Sequence, residues 1–126
     1  MTPFARRVRE LRQARGVSQK DMAAALGVTP AYLSALEHGR RSPPNWAMVQ
    51  KIIGYFNVIW DEADDLQRLA ELSHPRVVVD TAGLPERATA IANLLARNIA
   101  DLDEKELARL YETLSAILND RRREGP

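Results

Sequence analysis

Apolar residues recur at helical spacing along most of the chain, and Gly, Pro and small polar residues cut that pattern into segments. Phe4, Val8 and Leu11 fall on one stripe continued by Arg15, with Thr2 as N-cap, Pro3 at the first helical position and Gly16 as a stop. Ser18 caps a second helix, with Asp21 three residues on in a variant of the capping box. Met22, Ala23 and Leu26 point that helix inward, and Gly27 ends it. Thr29 and Pro30 open a third helix, with Leu33 and Leu36 inside and Gly39 at its end. Pro43-Pro44 opens a fourth, whose stripe is Trp46, Val49, Ile52, Ile53 and Phe56. A fifth is predicted over about 61–73, carrying Leu66, Leu69 and Leu72.

The texture then changes. His74-Pro75 interrupts any helix, and Arg76-Val77-Val78-Val79-Asp80 is a β-branched run that favours an extended linker or short strand over 74–84. Helical spacing returns with Ala88, Ile91, Ala92, Leu95 and Ile99. Asp103 and Glu106 form a capping-box-like start, followed by Leu107, Leu110, Tyr111, Leu114, Ile117 and Leu118. The connection at 100–102 is short, which predicts a helical hairpin over 85–120, with a frayed basic tail at 121–126. The chain reads as all-α: a five-helix domain over 1–73, the 74–84 segment, and the hairpin.

Composition narrows the chemistry. An apolar share of 45% can build a core, and the lack of cysteine excludes disulfides and thiolate metal sites. His38 and His74 are far apart, and Asp61, Glu62, Asp64 and Asp65 read as a solvated helix start, so no metal site is expected. No nucleophile–histidine arrangement and no glycine-rich phosphate loop is present, so neither an enzyme nor a cofactor is expected. No apolar run reaches membrane-spanning length and the N-terminus lacks a signal-peptide core; the expectation is a cytoplasmic protein with no membrane partner. Charge is uneven. Residues 1–58 carry nine Lys/Arg against three Asp/Glu, while 59–126 carry the other nine against fourteen. A basic front and acidic back suit a front that meets a polyanion, the plainer alternative being two ordinary solvated surfaces.

The unit that carries function is the pair of short helices joined by Gly27-Val28. The second buries a narrow stripe and leaves Pro30, Ala31, Ser34 and Ala35 outward, a smooth face that fits a major groove; spacing alone leaves a generic helical bundle equally open. Three stretches sharpen the choice: Leu11-Arg12-Gln13-Ala14-Arg15-Gly16-Val17-Ser18-Gln19, Met22-Ala23-Ala24-Ala25-Leu26-Gly27-Val28, and Tyr32-Leu33-Ser34-Ala35-Leu36-Glu37-His38-Gly39-Arg40-Arg41. With Pro44, Trp46 and Phe56-Asn57-Val58, they make residues 4–60 resemble the Cro/phage-repressor (XRE) helix-turn-helix family. That resemblance implies a lambda-repressor-like five-helix domain with a recognition helix at 29–38 and double-stranded DNA as partner.

It also implies roles. Ser18, Gln19 and Lys20 lie at the start of the second helix, where free N–H groups and the positive dipole end meet a phosphate. Gln19 matches a position that contacts backbone and sometimes a base, and Thr29, Pro30, Ala31, Ser34 and Ala35 match groove-facing positions. Tyr32 either packs at the domain edge or places its hydroxyl on a phosphate. Arg40 and Arg41 fit phosphates, or else a solvated turn. Arg12 and Glu37 match a structural ion pair joining the first helix to the end of the third. The reading face departs from better-known members in lacking Gln or Asn, so the operator sequence does not follow from it.

A single module of this kind makes few base contacts, and a two-fold dimer on a pseudo-palindrome is the usual solution. Ile91, Leu95, Ile99, Leu107, Leu110, Leu114 and Ile117 offer a homodimer seam as a four-helix bundle, unless the hairpin merely caps its own domain. The function expected is a dimeric transcriptional repressor. The alternative is an antitoxin-like interaction module whose acidic half binds a protein partner; a small-molecule effector stays open.

Overall fold

Four of the first five helices start on a side chain that accepts a hydrogen bond from a backbone N–H three residues on. In the computed structural model, which describes residues 1–41 and 43–124, α1 spans Pro3–Ala14, α2 Gln19–Leu26, α3 Pro30–Glu37, α4 Trp46–Phe56 and α5 Asp61–Glu71. Thr2 Oγ1 accepts from Ala5, Ser18 Oγ from Asp21, Thr29 Oγ1 from Tyr32 and Asn45 Oδ1 from Met48, at 3.2, 3.0, 3.0 and 2.9 Å. Each satisfies an amide that the helix leaves without a partner. α5 has no such cap; its first turn instead carries Asp61, Glu62 and Asp64, which suit the positive end of the dipole.

The chain divides into two compact units at Val78/Val79. In the first, Phe4, Val8 and Leu11 of α1 meet Met22, Ala23 and Leu26 of α2, Leu33 and Leu36 of α3, the Val49–Ile52–Ile53–Phe56 stripe of α4, and Leu66 and Ala70 of α5. Burying such aliphatic and aromatic side chains contributes about 1.5–3 kcal/mol each, which holds five short helices that would not persist alone. Ser73, just past α5, is buried and accepts the Phe4 N–H on Oγ at 2.8 Å, closing the end of α5 onto the start of α1. Its own hydroxyl donates to the carbonyl of Leu69.

Several positions differ from the periodic reading. Trp46 is 73% exposed rather than part of the α4 stripe, because the helix begins there and not at Pro43-Pro44. Pro44 disfavours helical backbone at Pro43, and Asn45 provides the cap. Arg15 leaves the α1 stripe for solvent at the C-cap. Leu72 is exposed, while Ala70 and Ser73 take the inward places at the end of α5. Val77, Val78 and Val79 form no strand, and none occurs among the described residues.

The second unit contains α6 (Glu86–Asn98), a single 3-10 turn at Ile99–Asp101, and α7 (Glu104–Glu124). Asp103 and Glu106 form a reciprocal capping box: Glu106 N–H donates to Asp103 Oδ1 at 2.8 Å, and Asp103 N–H to Glu106 Oε1 at 3.0 Å. α7 keeps Arg121, Arg122 and Arg123 in helix instead of the expected frayed tail; three cations in a last turn complement the negative end of the dipole. Gly125 and Pro126, the rest of that expected tail, lie outside the described residues. Neither α6 nor α7 buries a residue. Ile91, Leu94, Leu95, Ile99, Leu110, Tyr111, Leu114, Ile117 and Leu118 are 39–66% exposed. Two helices alone cannot cover two apolar stripes.

Candidate nucleic-acid interface

α2 and α3 are joined by a tight turn. Gly27 takes a left-handed φ of +75°, and Val28 N–H returns to the Ala23 carbonyl at 3.0 Å. This brings the start of α3 directly after the end of α2, so two helix N-termini, each with a hydroxyl cap, belong to one small unit. Ser18 and Thr29 each accept one cap bond, and each keeps its hydroxyl proton to donate.

A buried carboxylate locks these elements. Glu37, the last residue of α3, is fully buried. Arg12 of α1 holds it bidentately, Nε to Oε2 at 2.7 Å and Nη2 to Oε1 at 3.0 Å. The third guanidinium nitrogen, Nη1, donates to the Val17 carbonyl at 2.9 Å, in the turn between α1 and α2. Gln19 Nε2 adds a further donor to Glu37 Oε1 at 3.2 Å. A charge taken wholly out of water needs such compensation, and two other helices supply it, α1 through Arg12 and α2 through Gln19. The hydrogen bonds that Arg12 donates to Glu37, reinforced by the carboxylate's charge against the cost of burial, hold the Arg12 guanidinium more firmly protonated than usual.

The periodic pattern gives no sign of the Gln19 bond. A carboxylate only accepts, so the Gln19 amide must turn its NH₂ toward Glu37, leaving its carbonyl as the uncommitted end. Gln19 is half-buried, and its neighbours Ser18 and Lys20 are exposed.

Along α3, Thr29, Pro30 and Ala31 are exposed, and Ser34 and Ala35 are half-buried on the adjoining turn. Leu33 and Leu36 face the core. The outward surface is therefore small-sided, with the Thr29 and Ser34 hydroxyls as its polar groups. Arg40 and Arg41 are exposed beyond the helix. The Arg41 guanidinium carbon lies 5.3 Å from the centre of the Tyr32 ring, and that half-buried ring rests on the core. His38, which the periodic reading did not use, places Nδ1 2.7 Å from the Ser34 carbonyl; the carbonyl can only accept, so Nδ1 carries the proton.

Gly39 does more than end a helix. Its φ is +67°, and an added Cβ would sit 2.7 Å from the Thr2 backbone nitrogen and 3.0 Å from Met1 Cα. The exit of α3 thus packs against the chain's first residues, a contact across 37 positions that glycine alone admits. Among the described residues no group of three or more His, Asp or Glu is placed to hold a metal ion, and no helix is long and apolar enough to cross a membrane.

Residues 3–73 match the family model described as a helix-turn-helix domain. Over 61 residues, 48% of this chain and 44% of the relative, the sequence is 33% identical to the uncharacterized HTH-type transcriptional regulator RghRB of Bacillus subtilis (strain 168). Over 37 residues, 29% of each chain, it is 54% identical to the HTH-type transcriptional regulator DdrOP3 of Deinococcus deserti. The matches span less than half the length of these relatives. A chain of the solved SinR protein/SinI protein complex aligns with 92% of this chain and 98% of its own, at 16% identity and a TM-score of 0.44.

Proposed function

The chain belongs to the helix-turn-helix domain family through residues 3–73, and from that membership we propose that it is a sequence-specific transcriptional regulator, a dimeric repressor that occupies a pseudo-palindromic operator. The observation that carries this reading is the pair of capped helix starts at Ser18 and Thr29, held by one buried carboxylate beneath an exposed face of small residues. Free N–H groups and the positive dipole ends of α2 and α3 suit phosphates, and Ser18, Lys20, Arg40 and Arg41 add donors around them. Pro30, Ala31 and Ala35 fit the thymine methyl edge by apolar contact, with Thr29, Ser34 and the Gln19 carbonyl left for hydrogen bonds. Shape and deformability of the duplex supply the remaining discrimination.

Dimerisation falls to α6 and α7. Their exposed leucines and isoleucines, Ile91, Leu95, Ile99, Leu110, Leu114 and Ile117 among them, form more apolar surface than a solvated helix pair needs. A second copy would cover it as a four-helix bundle, with half-buried Leu107 at its edge. The same faces would serve a different protein in an antitoxin-like module. Light scattering separates the two: a homodimer at micromolar concentration supports the first, and a stable 14.1 kDa monomer overturns it. Selection of bound sequences from a random duplex pool, repeated over a salt series, tests the function itself. Enrichment of a two-fold motif is expected, and sequence-blind binding refutes a specific regulator.

A further inference from the structure

Tyr32 sits where three constraints meet. Its ring packs on the core, its N–H is held by the Thr29 hydroxyl at 3.0 Å, and the Arg41 guanidinium lies over its face at 5.3 Å. Arg41 follows Gly39, whose left-handed φ turns the chain at the exit of α3, yet its charged head ends beside the first turn of that helix. It is exposed and has no carboxylate partner among the described residues.

An arginine that clamps a phosphate from a solvated loop must give up several rotors at once. Stacking on a ring anchored in the core removes part of that freedom beforehand. It engages the face of the ring and leaves the N–H fork free to donate. The charge is thereby held on the ring of a first-turn residue of α3, where Pro30 has no N–H and Thr29 takes that of Tyr32, so the Ala31 N–H, the positive dipole end and the guanidinium can present donors to one anion.

We propose that Tyr32 is a positioning residue: its aromatic face, not its hydroxyl, holds Arg41 beside the N-terminus of α3 to clamp a DNA backbone phosphate. This rests on the DNA-binding reading above, and it resolves the choice between a packing ring and a hydroxyl donor in favour of a ring that works through a neighbour.

The test uses the full chain and a mixed-sequence duplex, with affinity measured across a salt series for wild type, Tyr32→Phe, Tyr32→Leu, Arg41→Ala and the Leu/Ala double variant. Tyr32→Phe keeps both packing and ring and should bind within twofold of wild type, by roughly the margin of measurement. Tyr32→Leu should weaken binding roughly two- to fivefold, the scale of an exposed cation–π contact. Arg41→Ala should flatten the salt slope by about one unit. In the Arg41→Ala background Tyr32→Leu should add nothing further. A loss in Tyr32→Phe comparable to that in Arg41→Ala would assign the contact to the hydroxyl and overturn the proposal, and this variant decides even if Tyr32→Leu fails to fold. Additive losses in the double variant would overturn it too. Wild-type protein that ignores DNA at low salt would instead sink the DNA-binding reading and the proposal with it.

Discussion

Replacing Glu37 with alanine should destabilise the first unit more than any single change on its surface. The substitution removes a fully buried carboxylate and strands the partners that face it. Arg12 loses two charge-assisted bonds, at 2.7 and 3.0 Å, and Gln19 loses one at 3.2 Å. The Arg12 side chain is only 15% exposed, so water replaces little of what is lost, although its bond to the Val17 carbonyl persists. Breaking a buried pair by deleting one partner costs about 3–5 kcal/mol; the surviving Val17 bond and the solvated edge of Arg12 argue for the lower end, about 3 kcal/mol. A domain of this size loses about 4–8 °C of melting temperature per kcal/mol, so the midpoint should fall by about 12–24 °C. Thermal melts followed by circular dichroism read this directly. Replacing both partners by leucine, Arg12→Leu with Glu37→Leu, should recover part of the loss, because no uncompensated charge then stays buried. A Glu37→Ala midpoint within about 3 °C of wild type, or a double variant worse than the single, would refute the idea that Glu37 carries the joint between α1, α2 and α3.

Gly39→Ala combines a left-handed φ of +67° with a Cβ 2.7 Å from the Thr2 nitrogen; a loss of at least about 2 kcal/mol is expected in urea unfolding, and an unchanged midpoint would mean the chain's start does not pack there. Ser73→Ala leaves the Phe4 N–H buried without an acceptor and should cost about 1–3 kcal/mol; hydrogen exchange at Phe4 as slow in the variant as in wild type would contradict it. Trp60 holds φ +57° and ψ −126° and is 81% exposed as a residue, so Trp60→Gly should stabilise the fold by about 1 kcal/mol, and a lower melting temperature would show that the side chain makes contacts that matter more than the backbone.

The helix starts belong to the part of the protein that its sequence determines by itself. Thr2, Ser18, Thr29 and the Asp103–Glu106 box act on amides three residues away, within one turn of chain, so residue type and spacing suffice to place them. The same holds for the left-handed exit at Gly27 and for the inward stripe of α2. Asn45 was legible in principle too, as an Asn ahead of an apolar run, but Pro43-Pro44 is the stronger start signal and drew the boundary early. Helical periodicity also misplaced Trp46 and Leu72. Both lie at helix ends, where the angular stripe continues but the opposing helix no longer covers it.

What only the tertiary structure decided are contacts between residues far apart in the chain. Gln19 reaches Glu37 across 18 positions and Ser73 reaches Phe4 across 69, and neither leaves a periodic trace because each is a single polar side chain in a mixed neighbourhood. The guanidinium of Arg41 returns to Tyr32 only because Gly39 turns the chain and the core fixes the ring. Local hydrogen-bond chemistry settles where each helix begins. Which polar groups stay free to meet another molecule depends on how the helices pack, since packing alone decides which donors and acceptors are already used.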